Sequence, residues 1–151
     1  MNSMFAIFQK LPLFRDCDSS QIWEVMHICD SQIFEPGEDL CRSDETSDAI
    51  FILLAGTVEI RTSNDLTLLE QHAVTTIGEA GMLTGEVRSA TVVAKTKVTT
   101  LCMYRRRLKP LMNSDLKFSA LLYRNVMCMV REKLVTSNER IAELLNDQQN
   151  A

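Results

Sequence analysis

The segment TTIGEAGMLTGEVRSATVVA, residues 75–94, contains three of the five glycines of the chain and lies between stretches that are typical of β-strands. A strand is predicted to end near Ile77, after which Gly78 lets the backbone turn where a Cβ would interfere. Residues 79–84 can form one helical turn, whose first N–H groups lack intrahelical partners and point at an anion. We further predict that Arg88 enters a new strand that returns alongside the first.

Two charged residues give this turn its ligand chemistry. The Arg88 guanidinium can donate two parallel hydrogen bonds to one phosphate and stays charged at physiological pH. The Glu79 carboxylate repels phosphate, so it suits a hydroxyl donor such as a ribose. A ligand with a phosphate and a nearby sugar hydroxyl satisfies both residues, which describes a cyclic nucleotide. The alternative is a buried salt bridge between Glu79 and Arg88 that braces the loop.

Length and composition indicate one soluble globular domain, with 151 residues, 46% hydrophobic and 24% charged. The net charge of -4 argues against a domain that grips a phosphate backbone, and we expect no direct DNA binding. The apolar run Met4 to Phe8 is too short for a signal sequence or a membrane span, so we expect a cytoplasmic protein without membrane association. Five cysteines without a C-x-x-C pair fit reduced thiols better than disulfides or zinc.

Periodicity divides this single domain into three parts. Residues 1–31 form an N-terminal helical segment, in which an amphipathic helix is predicted over 18–30. Residues 32–103 show β-branched residues and recurrent turn signals, which indicate an antiparallel barrel or sandwich. Residues 104–151 read as C-terminal helices. The candidate caps of the first helix are Asp18, Ser19 and Ser20, and the turn signals are Pro36-Gly37, Ala55-Gly56, Ser63-Asn64-Asp65 and Lys95-Thr96.

The sequence from Asn113 onward reads as one long helix with Ser114 as its cap. Its apolar residues recur at alternating steps of four and three, the repeat of a coiled-coil seam, so we expect a homodimer through residues 114–147. A single core stripe in a monomer is the alternative, and Thr136 to Glu139 form a potential capping box that would restart the helix. The seam residues are Tyr123, Met127, Val130, Leu134, Ser137, Ile141 and Leu144, and a second stripe predicted to face the β-domain is Phe118, Leu122, Cys128 or Met129, and Val135.

The string G-E-x-G-M-L-x-G-x-V-R-S-A-T, which begins at Gly78 and ends at Thr91, resembles the phosphate-binding cassette of the cyclic-nucleotide-binding domain family. This family includes the catabolite activator protein and the regulatory subunits of cyclic-AMP-dependent protein kinase. LPLF at 11–14, FEPGE at 34–38 and DAIFILLAGTVEI at 48–60 follow the order of that family. The resemblance implies an α+β, mainly β fold: an eight-stranded antiparallel, jelly-roll-like β-roll flanked by an N-terminal helix and a long C-terminal helix.

The resemblance also implies a ligand site in the cassette, residues 78–91. Glu79 is expected to accept from the ribose 2′-hydroxyl, and Arg88 to pair with the cyclic phosphate. Ser89, which follows the arginine, favours cyclic AMP over cyclic GMP. The full predicted set is Gly78, Glu79, Ala80, Gly81, Arg88, Ser89, Ala90 and Thr91. Two positions depart from the family: Ala80 replaces a larger aliphatic residue, and Val87 replaces the proline of the kinase subunits.

The segment LVTSNERI in the long helix resembles the part of the catabolite activator in which a Thr-Ser pair contacts adenine at the dimer interface. We therefore assign Thr136 and Ser137 to the base, whereas an ungapped alignment places Arg131 and Glu132 there. The chain resembles a free-standing sensor without a DNA-binding domain, and the alternative is an isolated fragment of a longer protein. It is expected to pass ligand occupancy through its C-terminal helix to an unknown effector protein, without catalysis.

Other functions remain open for such a β-roll. One is a degenerate domain that dimerises without binding ligand. A second is a haem-based sensor with His72 or a cysteine as axial ligand. A metal-dependent cupin-type enzyme is disfavoured because such sites need clustered histidines, and His27 and His72 are the only two in the chain. We expect no metal cofactor.

Overall fold

The computed structural model describes residues 2–151. It shows two antiparallel sheets, with helices before the first strand and after the last strand of the chain. Helix α1 (Asn2–Lys10), a 3₁₀ turn (Pro12–Phe14) and helix α2 (Ser19–His27) precede the first strand. The Asp18 carboxylate accepts a hydrogen bond from the Gln21 amide, and the Gln21 side chain accepts from the Asp18 amide. This capping box starts α2, so Asp18 is the cap among the three predicted candidates.

Eight strands form the β-roll, and their pairing is antiparallel throughout. One sheet has the order β1-β8-β3-β6 and the other β2-β7-β4-β5, which confirms the predicted eight-stranded roll. Each predicted turn joins two consecutive strands, and the first strand begins three residues before the region in which strands were predicted. The strands are β1 (Cys29–Phe34), β2 (Asp39–Cys41), β3 (Ala49–Ala55), β4 (Thr57–Arg61), β5 (Thr67–His72), β6 (Thr75–Ile77), β7 (Thr91–Ala94) and β8 (Val98–Tyr104).

Strand β3 separates two apolar cores. Its side chains alternate between the faces of the sheet, as the strand geometry requires. Ile50 and Ile52 pack with the helices, whereas Phe51 and Leu53 pack inside the roll. Because both faces are covered, this strand is apolar along its length and lacks the polar alternation of a half-exposed strand.

Two helices follow the roll, α4 (Arg105–Ser114) and α5 (Leu116–Gln149). The prediction that Ser114 caps the long helix is wrong: Ser114 ends α4, where its hydroxyl donates to the Leu111 carbonyl at 3.0 Å. Asp115 is the cap, because its backbone is extended and its carboxylate accepts from the Phe118 amide at 2.9 Å. Helix α5 then runs unbroken for 34 residues, so the predicted capping box at Thr136 does not restart it.

Helix α5 is anchored at its first third and exposed beyond it. Phe118, Leu122 and Val126 are buried in a core that side chains of the N-terminal helices, of α4 and of strand β3 share, which confirms the first half of the predicted second stripe. Its second half is wrong in part, because Cys128 and Val135 are exposed, whereas Met129 packs on the same core. Every residue from 131 onward is exposed. The predicted seam residues therefore have their apolar side chains in solvent.

Asp115→Ala is expected to destabilise the protein at neutral pH. Hydrogen bonds from the Gln21 side chain and the Phe118 amide hold the pKa of Asp115 below its ordinary value of 3.8. A group whose pKa is depressed by folding contributes stability above its ordinary pKa and loses it as the pH falls through the folded value. Urea unfolding of wild type and Asp115→Ala should thus converge as the pH is lowered below 3.8. A gap that is independent of pH would contradict this assignment.

Candidate functional site

The segment 75–94 crosses from one sheet of the roll to the other. Strand β6 ends at Ile77, Gly78 adopts the left-handed conformation with φ 84° and ψ 18°, and the short helix α3 (Glu79–Thr84) follows. A Cβ at Gly78 would overlap Nη1 of Arg88. Glycine is therefore required at this position by the backbone angle and by the approach of the arginine, which confirms the predicted turn.

The prediction that Arg88 enters a strand beside the first one is wrong. Arg88 lies in the loop between α3 and β7, and β7 begins at Thr91. Strand β7 pairs with β2 and β4, whereas β6 pairs with β3. The chain changes sheets within the cassette, so the strands on either side of it cannot be neighbours.

Arg88 is held by its backbone and by one arm of its guanidinium. The Arg88 amide donates to the Glu45 carbonyl at 2.8 Å, and its carbonyl accepts from the Asp44 amide at 2.9 Å. Nη2 donates to the Ala49 carbonyl at 2.6 Å, and the guanidinium carbon lies 5.5 Å from the centre of the Phe51 ring. The residue is only 6% exposed. Within residues 2–151, Nε and Nη1 have no hydrogen-bond partner.

Glu79 opens α3 and is buried, with 1% of its surface exposed. Its Oε1 accepts from Nζ of Lys133 on α5 at 2.6 Å, while Oε2 is buried without a partner in the described chain. Among the ion pairs of residues 2–151, none joins Glu79 to Arg88. The loop-bracing salt bridge considered above is therefore not the arrangement that the structure adopts.

Unpaired buried polar atoms cluster around the cassette. In the described part of the chain, five buried side-chain nitrogen or oxygen atoms lack a partner, and they belong to Ser47, Thr76, Glu79 and Arg88. Three of these residues lie in the segment 75–94, and a Cβ at Gly81 would lie 2.9 Å from the Ser47 hydroxyl. Each such atom costs about 1–3 kcal/mol when it stays unpaired. Because buried polar groups are paired in most structures, this concentration of unpaired atoms makes the cassette the candidate ligand site.

The remaining predicted residues have less distinctive positions. Ala80 and Gly81 are half-buried on α3, while Ser89 is exposed in the following loop beside the half-buried Ala90. The Thr91 hydroxyl, at the start of β7, accepts from the Ser43 amide at 3.0 Å. The structure thus places all eight predicted cassette residues in one continuous strand-to-strand connection.

Thr136 and Ser137 lie on the exposed part of α5. They follow Lys133 by three and four positions, so they share a helix face with the lysine that contacts Glu79. One helical turn rises about 5.4 Å, so Thr136 and Ser137 lie about one turn beyond Lys133 on this face. Arg131 and Glu132, the alternative pair, are exposed as well.

The site also borders Cys41 and the acidic residues Asp44 and Glu45, whose backbone groups bond to Arg88. Burial raises the pKa of the Cys41 thiol above 9.0, and the nearby Arg88 charge offsets this only in part, so the thiol stays neutral.

A cavity of about 500 Å³ lies beside β1 and β2, and neither Glu79 nor Arg88 lines it. No group of three or more metal-ligating side chains occurs within residues 2–151. None of the helices described is both long and apolar enough to cross a membrane.

Sequence reasoning missed four contributors to the site: Lys133, Ser47, the Ala49 carbonyl and the Phe51 ring. Phe51 lies on β3, which is apolar on both faces, so the sequence does not indicate that this side chain faces Arg88. No sequence pattern indicated Lys133, because it is one of several charged residues on α5 and lies 54 positions from Glu79 in the chain.

The fold is an eight-stranded β-roll whose connection from β6 to β7 holds a buried glutamate and a buried arginine with unpaired polar atoms. The family model described as "Cyclic nucleotide-binding domain" matches residues 31–115, which is more than half of the chain. The chain belongs to the cyclic nucleotide-binding domain family. This confirms the resemblance that the cassette motif indicated.

Individual relatives agree with this assignment. The chain is 32% identical over 94 residues to a cyclic nucleotide-gated potassium channel of Rhizobium etli, a match that covers 62% of this chain and 26% of the channel. It therefore spans about a quarter of that relative. The structure superposes on the N-terminal domain of a transcriptional regulator from Streptomyces coelicolor with a TM-score of 0.72 and 25% identity, over 84% of this chain and 94% of that domain. The catabolite activator protein of Thermus thermophilus shares the fold, with a TM-score of 0.71, 19% identity and coverage of 88% and 62%.

Proposed function

We propose that this domain binds a cyclic nucleotide in the cassette 78–91 and acts as a regulatory sensor. The observation that carries the proposal is the cluster of buried unpaired polar atoms, in which Arg88 offers two free donors and Glu79 one free acceptor. A cyclic phosphate accepts two hydrogen bonds from Nε and Nη1, and a ribose hydroxyl donates to Oε2. Backbone N–H groups of Ala80, Gly81 and Ala90 and the Ser89 hydroxyl complete the cradle.

The charge balance of the site favours an anion. Arg88 and Lys133 supply two positive charges beside the buried Glu79 carboxylate, and Arg88 keeps two donors free, in a chain whose net charge is -4. Because Arg88 and Glu79 are buried, their electrostatic interactions with a ligand are stronger than at the surface. The site is suited to one phosphate and does not require a basic face on the protein.

Cyclic AMP is the proposed ligand rather than cyclic GMP. The preference for cyclic AMP rests on Ser89, which follows Arg88. Cyclic GMP binders of this family tend to carry threonine at that position. Thr136 and Ser137 are proposed to contact the base, since they lie on the face of α5 that begins at Lys133. The relative from Rhizobium etli is named for gating by cyclic nucleotides, which supports the ligand class.

The proposed output is α5 and not a chemical reaction. Helix α5 packs against α3 of the cassette and against the N-terminal 3₁₀ turn, so a ligand at α3 can shift its position. The size of that shift is limited by the preference of the ligand for one helix position over another. We propose that an effector protein in the cytoplasm reads the resulting helix surface, with no metal and no direct contact to DNA or membrane.

Calorimetric titration of the protein with cyclic AMP, cyclic GMP and 5′-AMP tests this function. We expect binding of both cyclic nucleotides, tighter for cyclic AMP, and much weaker binding of 5′-AMP because its open phosphate does not keep the ring geometry that places phosphate and hydroxyl together. The absence of heat with either cyclic nucleotide would reject the sensor in favour of a non-binding interaction domain.

The exposed apolar face of α5 predicts a homodimer. Met127, Leu134, Ile141 and Leu144 are 54–74% exposed and follow the spacing of a coiled-coil seam. We expect a sedimenting species of twice 17.1 kDa at micromolar concentration, and a monomer for the double variant Leu134→Asp, Ile141→Asp. Leu66→Asp is the control, since Leu66 is 65% exposed but lies in the turn between β4 and β5, away from α5. A wild-type species of 17.1 kDa would remove the dimer.

A further inference from the structure

We propose that Lys133 is a positioning residue of the ligand site, which ties α5 to Glu79 and makes ligand binding and helix docking support each other. This inference rests on the proposed function. It adds a residue that lies outside the cassette and on a different element.

The two oxygens of Glu79 have separate roles. Oε1 accepts from Nζ of Lys133 at 2.6 Å, and Oε2 is buried without a partner in residues 2–151. A hydroxyl donor that pairs with Oε2 therefore does not compete for the oxygen that the lysine occupies. Lys133 fixes the side chain of Glu79 from the solvent side, since 54% of the lysine side chain is exposed and only 1% of the glutamate.

Lys133 is also the polar attachment of the outer part of α5. The other side-chain hydrogen bonds from α5 to distant parts of the described chain come from Tyr123, Arg124 and Asn125, which contact α4 and the segment 13–16. Beyond position 125, Lys133 makes the only such contact in residues 2–151, and its partner is the first residue of α3. The ion pair therefore connects the exposed part of the helix directly to the ligand site.

The sign of the coupling follows from this arrangement. A carboxylate that is held by Lys133 is already oriented for a ligand hydroxyl, so the ligand does not bear the cost of ordering it. By linkage, a ligand on Oε2 in turn stabilises the docked position of α5. Lys133 and the ligand thus cooperate. A competing arrangement, in which the ligand expels the lysine, would give the opposite sign.

Three variants separate these possibilities. Lys133→Gln removes the charge, and Lys133→Arg keeps it. Arg140→Gln is the matched control, because Arg140 lies seven positions further on the same face of α5 and makes no ion pair in the described structure. Both positions are exposed, so none of the changes disturbs the core. Each protein is titrated with cyclic AMP, and amide hydrogen exchange of α3 and α5 is measured without nucleotide.

We expect Lys133→Gln to bind cyclic AMP about fivefold more weakly, the scale of a half-exposed ion pair, while Lys133→Arg and Arg140→Gln stay near wild type. Without nucleotide, Lys133→Gln should also exchange faster in residues 127–137. Equal or tighter binding of cyclic AMP by Lys133→Gln would show that Lys133 and the ligand do not cooperate. Unchanged hydrogen exchange would show that Lys133 does not hold α5 to Glu79. If wild type binds no cyclic nucleotide, the proposed function and the cooperation both fail, and the exchange data alone still decide whether Lys133 secures α5.

Discussion

Arg88→Leu is expected to weaken cyclic AMP binding by about two orders of magnitude. Nε and Nη1 of Arg88 are the free buried donors at the site, and leucine removes both together with the charge. Loss of one member of a buried hydrogen-bonded charge pair costs roughly 2–5 kcal/mol, and each 1.4 kcal/mol is about tenfold in affinity. Calorimetric titration of the two proteins under identical salt conditions measures the difference.

The stability of the same variant serves as its control. A buried guanidinium with two unpaired donors opposes folding, so Arg88→Leu should unfold at the same or a higher urea concentration than wild type. Arg88→Lys, which keeps the charge but loses the paired donors, is expected to fall between the two in affinity. Unchanged binding by Arg88→Leu would show that the phosphate assignment is wrong.

Leu122→Ala is expected to lower the free energy of unfolding by about 3 kcal/mol. Leu122 is fully buried at the anchored part of α5, within the core that α1, α2 and α4 share. Truncation of a buried leucine to alanine costs about 2–5 kcal/mol, because apolar contacts are lost and a cavity is left. Urea or thermal unfolding, followed by circular dichroism, provides the measurement.

Leu116→Ala is the matched control for this prediction. Leu116 is the first residue of α5 and is 78% exposed, so its truncation should change stability by less than about 0.5 kcal/mol. Similar losses for the two variants would contradict the view that α5 is anchored through its first third. The pair also tests whether the first part of α5 belongs to the cooperative core of the domain.

Local turn and strand signals predicted an antiparallel barrel or sandwich, and the resemblance to the family supplied the eight-stranded roll. Turn residues such as Gly56 and the pair Pro36-Gly37 separate runs of β-branched residues, and each of these turns joins two strands that are consecutive in the chain and lie in different sheets. The sheet order was less accessible. Arg88 and Thr91 were assigned to a strand next to β6, since local patterns do not indicate that the chain changes sheets between them.

Helix boundaries were the next limit. Ser114 and Asp115 are both good capping residues, and the choice between them depends on tertiary contacts: the Asp115 carboxylate also accepts from the side chain of Gln21 on α2. The second stripe of α5 failed in part for the same kind of reason. Its period was right, but the core ends near Val126, and the pattern carries no information on where the partner surface stops.

The residues of the candidate site also differ in whether local sequence or tertiary contacts determine their role. Glu79 and Arg88 could be selected from the sequence because glycines and charges at fixed spacing indicate an anion-binding turn. Lys133 could not, since its contact depends on where a helix 54 positions away docks. Ser47 could not be selected either, because its buried hydroxyl lies close to Gly81 only in the folded structure.

The most direct test of the central claim is a crystal structure of the protein grown with cyclic AMP. We predict that Nε and Nη1 of Arg88 donate to oxygens of the cyclic phosphate, and that Oε2 of Glu79 accepts from the ribose 2′-hydroxyl while Lys133 remains on Oε1. A nucleotide bound elsewhere on the molecule, with the Arg88 guanidinium making no contact to its phosphate, would contradict the assignment of the cassette as the ligand site.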